Sequence, residues 1–191
     1  MNIFHHLLRP FGYLSIKGVN GKILYDWITP LILTLLSFFF FYLCGFPLLK
    51  LLENDGLIKS LSSFIGSLPG FYIAALAAIA TFNRKQIDYP LINDNGNPYI
   101  YVTGVKENGK IYQAKEDLTR RLFLCMLFSF LTALSILIIV FNAFVMPVVI
   151  LKSSTSITIA FLSIYLFLTW QLLVTTFFGL YYLGDRIHMN N

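Results

Sequence analysis

Charged side chains are absent from four long stretches of this chain, residues 27–49, 60–83, 122–151 and 153–184. Each is long enough for a membrane-crossing α-helix, which needs about 20 apolar residues. The pattern predicts an all-α polytopic membrane protein with four transmembrane helices. It divides the chain into an N-terminal segment 1–26, a first transmembrane hairpin 27–82, a soluble loop 83–121, a second hairpin 122–183 and a tail 184–191. Pro47 and Pro147 are expected to close the first and third spans, because proline cannot continue the helical hydrogen-bond ladder. The SFFFFY run, Ser37 to Tyr42, is bulky and apolar all round, so much of the first helix should face lipid.

Inside the loop 83–121 the period changes. Short β-branched and aromatic runs flank Asn95-Gly96 and Asn108-Gly109, the local signature of a type I′ hairpin. A small β-meander of two or three strands is predicted between helices 2 and 3, alternating Tyr99, Tyr101 and Thr103 against Ile100 and Val102. So small a sheet is marginal alone. It should therefore be held by docking, and Tyr99, Tyr101, Lys106, Lys110 and Tyr112 are the expected partner-binding positions. The plainer alternative is a passive, solvated connector.

The second span has an order of its own, with Ser62, Gly66, Gly70, Ala74 and Ala78 recurring at every fourth residue. A helix brings such positions onto one narrow face. Small faces let backbones approach closely in lipid, where hydrophobicity gives no preference between helix and lipid. The stripe is thus predicted to pack helices, within the protomer or between copies of a homo-oligomer. Pro69 lies in the same helix and suggests a kink or gate; equally, Pro69, Gly66 and Gly70 could serve only to nest it against its neighbours. Asn142 and Gln171 are the most polar residues in the last two spans and should hydrogen-bond across helix interfaces or line a wet path.

Charge sets the orientation. Eleven of the 14 basic residues fall before the first span, between the second and third, or after the fourth, against Lys50, Lys59 and Lys152 on the other side. The positive-inside rule then puts both termini and the loop in the cytoplasm, and the topological bias accounts for the basic pI without nucleic-acid binding. Residues 1–26 mix aromatics and leucines with His5, His6 and Arg9 and are expected to lie in the headgroup region. Broken by Pro10 and several glycines, they do not resemble a cleaved signal peptide. Arg120 and Arg121 should snorkel to lipid phosphates. Cys44 and Cys125 belong near opposite membrane faces, too far apart for a disulfide.

With the spans taken from Trp27 onward, none holds an Asp, Glu, Lys, Arg or His. That argues against proton-coupled transport and intramembrane metalloproteolysis. No phosphate loop, catalytic carboxylate pair, CxxC or HExxH is present, and no cofactor, metal or catalytic residue is expected.

Four spans, short outer turns and the insertion QIDYPLINDNGNPYIYVTGVKENGKIYQAKEDLTRR together resemble the small multi-span effectors of bacterial anti-phage systems. The resemblance is to the membrane effectors that accompany retron reverse transcriptases and, next, to the membrane subunit of the Kiwa system. It implies a non-enzymatic protein of the bacterial inner membrane, held quiet by a cytoplasmic protein or ribonucleoprotein on the 86–118 loop. Released upon infection, such a protein would oligomerise and permeabilise or depolarise the bilayer. The alternatives are a membrane anchor that recruits a soluble partner through the loop, and a constitutive small channel subunit.

Overall fold

The computed structural model describes residues 7–53, 56–81, 85–91, 96–105, 111–152 and 154–186, without the side chains of 85–86, 103–105, 111–113 and 185–186. Among the described residues four helices are long and apolar enough to cross a membrane. Their α-helical parts are α1 (Thr29–Leu43), α2 (Leu57–Thr81), α3 (Arg120–Lys152) and α4 (Thr155–Tyr181), the first span beginning earlier, at Leu24. Short 3-10 turns occupy Arg9–Ser15, Leu48–Leu52 and Lys85–Asp88. Strands β1 (Tyr99–Val105) and β2 (Ile111–Asp117) form one antiparallel two-stranded sheet, with Tyr99 opposite Asp117 and Val105 opposite Ile111.

Helix α2 packs on α3 through Ile58, Ile65, Tyr72 and Ile79, all buried at intervals of seven, with Leu61, Leu68 and Ala75 partly buried between them. This is a heptad seam, in which large side chains from the facing helix fill the gaps. Helix α4 is the most enclosed of the four. It contacts α1 on one side and α3 on another, and hydrogen-bonds to α2 through Tyr72 and Thr176, 2.6 Å apart. It comes close to α3 at Gly179, where an added Cβ would lie 2.9 Å from a Leu127 methyl. Helix α1 rests on α4 and leaves a broad apolar face, including Leu35, Phe39, Phe40 and Tyr42, exposed.

Several sequence expectations are extended or corrected. To the N-terminal segment the structure adds a contact that was not expected: Tyr13 and Ile16 are buried and the 3-10 turn packs along α3. The sheet has two described strands, within the two or three expected; Asn108-Gly109 and Asn95 lie outside the described residues. Pro147 does not end the third helix, which runs on to Lys152. Proline removes a single hydrogen bond, and the following turn is held by buried Val149. Pro69 likewise sits inside an unbroken α2.

Arg121 does not turn outward. Its guanidinium grips both carboxylate oxygens of Asp88, at 2.6 and 3.0 Å, and donates to the carbonyls of Ile79 and Ala80. Those carbonyls are among the last of α2, which lack intrahelical donors and carry the negative end of the helix dipole. A planar cation there satisfies backbone and carboxylate together. Hydrogen bonding from Arg121 holds the exposed Asp88 carboxyl below its ordinary value.

Candidate functional site

The chain turns at Gly21, φ +74°, and winds through a π-helical turn, Leu24–Ile28, into α1. Four residues separate Lys22 from Asp26, so the two share a helix face. Lys22 Nζ lies 2.6 Å from Asp26 Oδ2, and the carboxylate is fully buried. The Tyr13 hydroxyl donates to the other oxygen, Oδ1, at 3.1 Å, while Lys22 Nζ stands 4.4 Å from the centre of the Tyr13 ring. That ring packs between Phe130 and Phe123 of α3, at centroid distances of 5.1 and 6.1 Å. The Gln171 amide of α4 donates to the Asp26 backbone carbonyl at 2.9 Å. Four residues after Asp26 comes Pro30, which has no amide proton to offer that carbonyl. Gln171 supplies the missing donor, and one small cluster thereby ties the N-terminal segment to α1, α3 and α4.

Lys22 and Asp26 are the two buried charged side chains among the described residues. Stripping two ions of water costs several kcal/mol each, roughly, and is offset only when the pair is close and its remaining lone pairs are filled. Here Lys22 and Tyr13 each take one carboxylate oxygen. Burial, followed by the nearby Tyr25 and Asp26, pushes the Tyr13 hydroxyl far above the ordinary phenol range, so it stays protonated and remains a donor. Neither carboxylate oxygen reaches solvent, which suits a fastening better than a proton-transfer group. The sequence premise that every span is free of charge fails at this position. The candidate span begins at Leu24 and encloses Asp26.

Neither a family model, nor a curated protein, nor a solved structure matches this chain.

The predicted packing stripe is divided in the structure. Ser62 turns inward, accepting from Asn142 Nδ2 at 2.8 Å and sharing a 2.8 Å hydrogen bond with Tyr165, whose hydroxyl also reaches the Ile58 carbonyl at 3.4 Å. That knot joins α2, α3 and α4, and it leaves Asn142 Oδ1 buried without a protein partner. Gly66, Gly70, Ala74 and Ala78 are instead exposed, and nothing among the described residues lies within 4 Å of a Cβ added at either glycine. They do not nest α2 against the chain's other helices. A further inter-helix bond runs from Trp170 Nε1 to Ser37 Oγ at 3.0 Å.

At the sheet, Tyr99 meets Tyr101 edge to face at 5.4 Å and lies under Lys115, while Tyr101 is more than half exposed. Lys106, Lys110 and the Tyr112 side chain lie outside the described residues. Among the described residues no three of His, Cys, Asp and Glu gather as a metal site would require.

Tyr13, Lys22, Asp26, Tyr165 and Gly179 were not singled out by sequence reasoning. A signal existed for the ion pair: an acid at the margin of an apolar run, four residues after a lysine, is a functional candidate by default. Setting the span boundary at Trp27 concealed it.

Proposed function

We propose that this chain is a non-enzymatic multi-pass membrane protein that self-associates through the exposed Gly66–Ala78 face of α2. As the resemblance to anti-phage effectors implies, the assembly permeabilises or depolarises the bacterial inner membrane once a cytoplasmic partner lets go. One observation carries the self-association: α2 buries its heptad of large residues inside the protomer and leaves its small residues outside, roughly on the opposite face at 100° per residue. A small, exposed face on an otherwise bulky surface is the kind of contact that lipid-embedded helices use. The orientation is supported by the pairing of Lys17 with Tyr99, which brings the two base-rich regions to one end of the bundle.

Expression freed from any partner should collapse membrane potential and viability, and Gly66→Leu with Gly70→Leu should prevent both. Retained potential in the wild type, or unchanged collapse in the double variant, would overturn the proposal. A second reading is a membrane anchor that recruits a soluble partner through the hairpin, favoured by the exposed Tyr89 and Tyr101. Under it, deleting the hairpin abolishes capture of the partner and liposomes show no flux.

A further inference from the structure

Residues 9–21 are fastened at two levels. At the outer level Lys17 and Tyr99 exchange both backbone hydrogen bonds, 3.1 and 3.0 Å, which adds a one-residue strand to the free edge of β1. Lys17 Nζ also stands 5.5 Å from the Tyr101 ring. Beside it Gly18, at φ +82°, passes so near Pro98 that an added Cβ would lie 3.2 Å from its Cα. At the inner level is the Tyr13, Lys22 and Asp26 cluster, with Gln171 beyond it. Ile16, 4% exposed, lies between the two.

The inner fastening is made of charges where apolar residues would hold at least as firmly, since the desolvation of a buried pair consumes most of its attraction. An ion pair differs from an apolar pair in its open state. When Tyr13 parts from it the Lys22–Asp26 pair regains hydration, whereas apolar side chains parted in the same way stay exposed at a cost. The gap between closed and open forms is thereby narrowed.

Helix lengths place this fastening where opening has a consequence. From Leu24 to Leu43 the first candidate span has 20 residues, and α3 has 33. At 1.5 Å per residue these are about 30 and about 50 Å, so α3 is far longer than a bilayer core of about 30 Å requires. Tyr13 covers Phe123 and Phe130 in the first turns of α3. Lifting the segment would uncover that aromatic surface and the Lys22–Asp26 pair beside it.

We infer that residues 9–21 are a latch, closed where Tyr13 meets the Lys22–Asp26 pair at the base of α1 and coupled to the hairpin through Lys17 and Tyr99, so that displacement of the hairpin opens it. The inference holds whether the protein assembles into a pore or serves as an anchor.

The test uses the full chain in nanodiscs of phosphatidylethanolamine and phosphatidylglycerol, with Cys44→Ser and Cys125→Ser and a maleimide probe. Ile16→Cys reports the latch and Leu131→Cys, fully buried, reports the bundle. In the parent both should label slowly. Asp26→Asn should raise labelling at Ile16→Cys by about tenfold or more, the change that roughly 1.4 kcal/mol represents, and leave Leu131→Cys protected. Replacing residues 99–117 by a flexible linker should do the same. Tyr13→Phe, which keeps the ring and removes one hydroxyl, should raise it severalfold and decides the matter if Asp26→Asn fails to fold. Unchanged labelling at Ile16→Cys in any of these, or a parallel rise at both reporters, would overturn the latch.

Discussion

The side-chain amide of Gln171 donates to the backbone carbonyl of Asp26 at 2.9 Å, filling the place of the amide proton that Pro30 lacks. A glutamine deep in an apolar helix is thus explained by a proline in another helix. Gln171→Leu should destabilise the bundle by about 1 kcal/mol, within the range for inter-helix hydrogen bonds in membranes. In a Pro30→Ala background the backbone can supply its own donor, and the same substitution should cost half as much or less. Unfolding titrations in mixed micelles would measure both, and an undiminished cost would mean that Gln171 does not replace Pro30.

Glycines on the two sides of the bundle should respond in opposite ways. Gly66→Leu and Gly70→Leu meet open space within the protomer, so monomer stability should stay within about 0.5 kcal/mol of wild type. Gly179→Ala places a Cβ 2.9 Å from a Leu127 methyl. Overpacking of this kind costs roughly 1–3 kcal/mol, toward the lower end where a flexible side chain can yield. Stability measured under monomeric conditions separates the two classes.

Ser62 joins Asn142 and Tyr165 across three helices. Ser62→Ala leaves both partners short of a bond and should cost about 1 kcal/mol or somewhat more. Because Asn142→Leu removes one of the stranded groups, the double variant should lose less than the sum of the single ones. A double-mutant cycle that comes out additive would count against a shared knot.

The Arg121–Asp88 clamp should respond to acid. Its hydrogen bonds lower the folded-state value of Asp88, so whatever stability the clamp contributes is present above the ordinary carboxylate value and is lost as pH falls through the lower folded one. Amide exchange at the C-terminal turn of α2 should be flat from pH 7 to pH 5 after correction for intrinsic rates, and should accelerate below about pH 4. In Asp88→Asn this acid step should vanish.

Much of the architecture was legible in the residues. Four charge-free runs admit few solutions, because a backbone in an apolar medium must bond to itself. The hairpin strands followed from alternation around Asn108-Gly109. The inner face of α2 was equally present, as a heptad of Ile58, Ile65, Tyr72 and Ile79 in the same 25 residues as the small stripe. Two periodicities overlapped, and the stripe drew the prediction although large side chains gain more contact when buried.

The sequence by itself determined how many apolar helices this protein has, where they lie in the chain and on which side of the hairpin each falls, since those depend on local composition and period. Tertiary structure alone decided which face of α2 turns inward and that Asp26 is enclosed. An acid at the margin of an apolar run is equally at home in water. What removes it from solvent is the meeting of Tyr13, Lys22 and Gln171, which lie up to 145 positions from Asp26, and no local pattern encodes that convergence.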